Sequence, residues 1–148
     1  MRSTAGAVLL VGLVAACSGL GVFPRAALRT PAVVRYSAAR AHGMPVVAGT
    51  LQLVAHDDSS VTGTWQIDWV VGADTTASVG PQVGSGTLSG RLSADGSIGL
   101  DLNPLFADNN VFLEGAVTTA GISGTWTWSG IAGPIATGRF DAPYAPIP

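Results

Sequence analysis

The stretch Val61–Trp69, VTGTWQIDW, decides the fold class because apolar residues or glycine alternate strictly with polar residues. The odd-numbered positions, which include Trp65 and Trp69, share one face, and the polar positions share the other. Successive side chains of a β-strand point to opposite faces of its sheet, so the pattern predicts a half-buried antiparallel strand. The same alternation returns in Ile122–Trp128, ISGTWTW, where Trp126 and Trp128 share one face.

Five further segments alternate in the same way, which raises the number of predicted strands to seven. These segments are Gly49–Leu53, Gly84–Ser93, Ile98–Asn103, Val111–Val117 and Ala136–Asp141. Turn-forming sequences such as Asp57–Ser60 and Ala94–Ser97 separate the strands. Short connections imply that consecutive strands are neighbours, so the chain predicts an all-β meander over residues 46–142.

Glycines fall repeatedly on the apolar faces of these strands, as Gly63, Gly86, Gly124 and Gly138 do. A glycine inside a strand usually marks a bend or a close approach by another group. Because curved sheets take up their curvature at glycines, we expect a small up-and-down barrel of seven to eight strands. The eighth strand would come from residues 70–83 or from one end of the domain. A two-sheet β-sandwich is the alternative.

The strands resemble those of small calycin-like barrels, the avidins and lipocalins. The resemblance rests on Gly63-Thr64-Trp65, on Gly124-Thr125-Trp126 and on Thr137–Asp141, TGRFD. It implies a barrel architecture and no more, because the polar contacts of a biotin site cannot be matched residue by residue. The first predicted strand also reads Gly49-Thr50-Leu51 where a lipocalin has Gly-x-Trp.

The N-terminus predicts export. Arg2 precedes the apolar run Ala5–Ala16, which has the length of a signal peptide. The run Leu13-Val14-Ala15-Ala16-Cys17 resembles the lipobox of bacterial lipoprotein precursors. That resemblance implies a signal peptide over residues 1–16, acylation of Cys17, and anchoring to membrane lipid on the periplasmic or cell-surface face. An ordinary secretory signal is the alternative.

Residues 17–45 are expected to form a basic tether. From Ser18 to Pro45 the chain has four arginines and no acidic residue, whereas the predicted domain has two arginines and nine acidic residues, a net charge of −7. Thr30-Pro31 reads as a helix start and Gly43 as a stop, so we predict a helix over Ala32–His42, with a flexible coil as the alternative. Residues 143–148 would be a proline-rich tail.

Catalytic chemistry has little support in this sequence. Cys17 is the single cysteine, and the two histidines fall in the tether (His42) and at a strand end (His56), so no Ser-His-acid constellation is predicted. His56-Asp57-Asp58 and Asp108-Asn109-Asn110 lack the spacing of a metal site. We therefore expect no enzyme activity, metal or cofactor, and the acidic charge argues against nucleic acid.

The candidate ligand-binding residues are Trp65, Trp69, Trp126 and Trp128. An eight-stranded barrel is only just wide enough for its own side chains, which favours a packed core over a calyx for a small apolar ligand. We predict a non-catalytic binding or structural role, with a protein or a small apolar ligand as the open choices of partner. An enzyme or protein inhibitor with its site on the 71–82 loop is a further alternative.

Overall fold

The computed structural model describes residues 28–40, 43–106 and 108–146. The predicted signal peptide, Cys17 and His42 lie outside these residues. Eight strands form one antiparallel sheet in which each strand pairs with the next and β1 pairs with β8, so the sheet closes into a barrel. The strands are β1 (Ala32–Arg40), β2 (Pro45–Ala55), β3 (Ser60–Trp69), β4 (Gly84–Leu92), β5 (Ser97–Asp101), β6 (Asn109–Val117), β7 (Gly121–Gly130) and β8 (Gly133–Pro143).

The seven predicted strands are confirmed as β2 to β8, each in the expected place. The alternation of side chains is also confirmed: in β3, Val61, Trp65 and Ile67 are buried, whereas Thr62, Thr64 and Gln66 are exposed. The closed order of strands confirms the barrel and excludes the β-sandwich. No helix long and apolar enough to cross a membrane occurs in the part of the chain that the structure describes.

The predicted helix over Ala32–His42 is wrong, because residues 32–40 form β1. Val34, Tyr36 and Ala38 are buried and alternate with more exposed neighbours, which is strand periodicity. Local start and stop signals favoured the helix, but β2 and β8 would each have an open edge without β1. Pairing with both strands satisfies those edges and buries the apolar face of β1.

The barrel therefore begins before residue 46, and the predicted tether is shorter and less basic than expected. Arg35 and Arg40 lie in β1, and Arg29 lies just before it, paired with Asp57 of the barrel. The described residues contain five arginines and nine acidic residues, a net charge of −4. The predicted tail also begins later than residue 143, because Pro143 ends β8 and Tyr144 forms a bridge with Val34.

The two ends of the barrel differ. The long-loop end has the connections 41–44, 70–83, 102–108 and 131–132. The tight-turn end has the turns 56–59, 93–96 and 118–120, together with the segments that precede β1 and follow β8. Leu28 is fully buried, and its carbonyl oxygen accepts a hydrogen bond from the N–H of Ala55, the last residue of β2. This residue therefore covers the core at the tight-turn end.

Candidate functional site

Two of the four candidate tryptophans, Trp65 and Trp126, belong to the core. Trp126 is fully buried and Trp65 is nearly so. Trp65 donates its indole N–H to the Leu102 carbonyl oxygen at 2.6 Å, and Trp126 donates to that of Ala39 at 2.9 Å. Their polar atoms are thus paired with backbone inside the protein. Both side chains fill the barrel and have no polar group left for a ligand.

The long-loop end is closed by the 70–83 connection. Val79 and Gln82, in the second half of this loop, are buried, and Tyr36 donates its hydroxyl hydrogen to Gln82 Oε1 at 2.7 Å. Gln82 Nε2 in turn donates to the Val79 carbonyl oxygen at 2.6 Å. The Tyr36 ring stacks on Phe140 with 5.8 Å between the ring centroids. The longest loop, which carries the site in the enzyme or inhibitor alternative, is therefore tied to the core along its second half.

The other two tryptophans, Trp69 and Trp128, are half-buried at the long-loop end. Together with Asn109 and loop residues 76–81 they line an open cleft of about 350 Å³. Trp128 donates its indole N–H to Asn109 Oδ1 at 2.8 Å. Gly80 lies against the Trp128 ring with a φ of 69°, and a β-carbon there would come within 2.5 Å of the ring. Only glycine permits both this conformation and this approach.

Exposed apolar side chains surround this cleft. Eight large apolar side chains are exposed among the described residues, and six of them lie at the long-loop end. We call these six the apolar rim: Met44, Val71, Leu105, Phe106, Ile131 and Ile135. Each of the four connections at this end contributes at least one of them, either within the connection or, for Ile135, just after it. The remaining two, Val33 and Phe112, lie on the barrel wall.

The tight-turn end has a polar surface in which aspartates hold the turns. Asp58 and Asp95 each accept hydrogen bonds from the hydroxyl and the backbone N–H of the serine two residues later. These bonds lower the pKa of both carboxyls, the Ser60 hydroxyl being the larger cause for Asp58 and the Ser97 N–H for Asp95. Asp74 is bonded to Thr76 in the same way in the long loop. The repeated sequence Asp-x-Ser/Thr thus builds turns.

The residues considered as metal ligands do not converge. His56 Nε2 lies 2.8 Å from the Thr62 hydroxyl, and Asp57 forms an exposed ion pair with Arg29 at 3.2 Å. Asn110 is buried, and its side chain bonds with both the N–H and the carbonyl oxygen of Asn103. Within residues 28–40, 43–106 and 108–146, no group of three or more His, Cys, Asp or Glu side chains could hold a metal ion.

Comparisons with protein-family models, with curated proteins and with solved structures returned no match. The barrel therefore carries no family assignment, and its architecture alone does not identify a calycin.

The sequence does not predict the apolar rim or the Tyr36–Gln82–Val79 hydrogen bonds that close the long-loop end of the barrel. The rim residues come from parts of the sequence that are far apart, and each part contributes only one or two of them. They form a set only because the meander brings four connections to one end. The alternation of Val34, Tyr36 and Ala38 indicates a buried Tyr36 despite the helix signals around it, but no signal in the sequence pairs Tyr36 with Gln82.

Proposed function

We propose that this protein is an exported, lipid-anchored envelope protein whose β-barrel has a non-catalytic binding or structural role on its outer surface. One observation carries the proposal for the barrel: the interior is occupied by side chains and covered at both ends. The inward aromatic residues use their own polar atoms in internal hydrogen bonds. The surface that remains for a partner is the outside, where apolar side chains concentrate at the long-loop end.

The anchor in this proposal is Cys17, in the lipobox-like run Leu13–Cys17. The described chain begins at the tight-turn end, where Leu28 enters the core. A lipid at Cys17 would thus be joined to the barrel at the end opposite the apolar rim. Two acyl chains give stable membrane attachment, whereas one gives only marginal attachment.

Metabolic labelling with an alkyne fatty acid tests the anchor. We expect the wild-type protein to incorporate the label and the Cys17→Ser variant to incorporate none, because the acyl chain needs the thiol. The Ser18→Ala variant is the matched control and should be labelled like the wild type. A wild-type protein without label, or a labelled Cys17→Ser variant, would contradict the proposal.

The calyx for a small apolar ligand is the first alternative, and binding of a fluorescent fatty acid distinguishes it from the proposal. We expect no saturable binding and no change in tryptophan emission, because Trp65 and Trp126 lie in a filled core. Saturable binding that a Trp126→Phe substitution weakens would favour the calyx. An enzyme or inhibitor site on the 71–82 loop has less support, since Val79 and Gln82 are buried.

A further inference from the structure

The apolar rim is the least expected feature of the barrel surface. Val71 is completely exposed, Ile131 is 88% exposed, and Met44 and Leu105 are each 84% exposed. The wall residues Val33 and Phe112 are each only 39% exposed. Concentrated exposed apolar side chains mark a surface that contacts a protein or a membrane.

The arrangement of the rim fits a lipid surface. Its residues come from four connections spread around the end of a closed barrel. A bilayer surface can receive apolar side chains from all four connections at once, whereas a protein partner would need a matching surface for each connection. Trp69 and Trp128 lie half-buried at the same end. Tryptophan is enriched at membrane–water interfaces because its ring is largely apolar and its N–H is polar.

The charge at the long-loop end indicates which lipids the rim fits. Four aspartates lie in or beside its connections, and Arg40 is the one arginine of the described residues that lies there. The aspartates are Asp68, Asp74, Asp101 and Asp108. This end therefore has a net charge of −3, which an anionic membrane surface repels. A zwitterionic bilayer imposes no such repulsion.

The length of chain between Cys17 and the barrel permits contact with the membrane that holds the anchor. Eleven Cα–Cα steps separate Cys17 from Leu28 and span at most about 38 Å when extended. The longest strands have 11 residues, and with the tilt usual in barrels they rise about 28 Å. The chain is thus long enough to pass along the barrel while the opposite end faces the same bilayer.

We propose that the apolar rim docks onto a zwitterionic phospholipid bilayer, inserting Val71, Leu105, Phe106 and Ile131 at its surface. This proposal rests on the proposed function in one respect, because the acylated Cys17 is what holds the barrel beside a bilayer. The rim itself binds lipid without that anchor. The barrel then has two attachments to one membrane, a covalent lipid at one end and a reversible apolar contact at the other.

The test uses a chain that starts at Ser18, which lacks Cys17 and the N-terminal apolar run. Residues 28–146 include all eight strands and the residues that cover both barrel ends, so this chain retains the complete core. We expect it to float with phosphatidylcholine vesicles, and we expect binding to weaken as phosphatidylglycerol is added. Because no cysteine is present, this result is independent of the fatty-acid labelling that tests the anchor.

Paired substitutions identify the surface that binds. We expect Phe106→Trp to give a larger blue shift of tryptophan emission with phosphatidylcholine vesicles than the wild type gives, and Phe112→Trp, on the wall, to add nothing to the wild-type shift. Replacing Met44, Val71, Leu105 and Ile131 together by serine should weaken binding at least about 100-fold, since burying one such side chain is worth about tenfold in affinity. The control Val33→Ser with Phe112→Ser should bind like the wild type, and circular dichroism should be unchanged in both.

Three outcomes would overturn the proposal. The first is no flotation of the wild-type chain. The second is equal flotation of the rim variant and the wild type. The third is a dimer that the rim substitutions dissociate while vesicles capture nothing, which would make the rim a contact between two copies of this chain.

Discussion

Tyr36 places a phenol hydroxyl inside an apolar core, where it donates a hydrogen bond to Gln82 Oε1. Burial raises the pKa of the Tyr36 hydroxyl above its usual value near 10. The hydroxyl therefore keeps its proton in the folded protein at pH values where the unfolded chain loses it. The stability that the folded protein gains from keeping this hydroxyl protonated is therefore complete below pH 10 and declines as the pH rises further.

We expect Tyr36→Phe to lower the free energy of unfolding by about 1–3 kcal/mol, because the buried Gln82 oxygen would lose its partner. Urea denaturation at neutral pH measures this loss. Above pH 10 the difference from the wild type should shrink, since the variant lacks the buried phenol.

Tyr144→Phe is the matched control for this prediction. The buried Tyr144 hydroxyl oxygen has no hydrogen-bond partner among the described residues. Its removal should therefore leave stability unchanged or raise it slightly. An equal loss in both variants would show that the Tyr36–Gln82 bond contributes nothing specific.

At the scale of the strands, glycine positions separate tight packing from open surface. A β-carbon at Gly138 in β8 would overlap the Ala39 carbonyl oxygen of β1 and lie 2.6 Å from Trp126 Nε1. Gly99 in β5 has no atom within 4 Å of the same position. Gly138 is therefore closely packed, whereas Gly99 faces open space.

We expect Gly138→Ala to destabilise the barrel by about 3 kcal/mol or more, because overpacking forces the strand and Trp126 apart. Gly99→Ala should stabilise it by about 0.5–1 kcal/mol, since alanine loses less conformational freedom on folding. Urea denaturation of both variants checks the pair. A stabilising Gly138→Ala substitution would contradict the close packing of β8 on Trp126.

Prediction from the sequence succeeded for strands whose alternation was strong and failed for one whose alternation was weak. In β3 and β7 the tryptophans make the buried face plain. In β1 the buried face is made of Val34, Tyr36 and Ala38, and the flanking Thr30-Pro31 and Gly43 favoured a helix. What decides β1 is the need of β2 and β8 for a partner, which local sequence cannot express.

For the candidate site, four tryptophans were predicted from one pattern and divide into two roles. Trp65 and Trp126 lie at mid-strand and fill the core, whereas Trp69 and Trp128 lie near strand ends and line a cleft. The alternation gives the face of each residue but not its height in the barrel. The height of a residue depends on the register in which its strand pairs with both neighbours, and the closed barrel fixes that register.

At the scale of the whole molecule, closure depends on β1. We expect a chain that starts at Val46 to lack cooperative unfolding and to aggregate, because β2 and β8 would both expose open edges and the Tyr36 side chain would be missing from the core. The chain that starts at Ser18 is the control and should unfold cooperatively. Circular dichroism and size-exclusion chromatography measure the difference. If the chain that starts at Val46 were monomeric and unfolded cooperatively, closure of the barrel by β1 would not be required for folding.

The pairing of β1 with β8 also sets an order of events. Ser37 and Asp141 are register partners although 104 residues separate them, so the first strand synthesised completes its pairing with the last. Strands β2 to β8 can pair with neighbours as they emerge, but the ring cannot close until β8 exists. If the chain is exported N-terminus first, as proposed, Cys17 crosses the membrane before the barrel can close, so the proposed acylation site is open to modifying enzymes while the chain behind it is still unfolded.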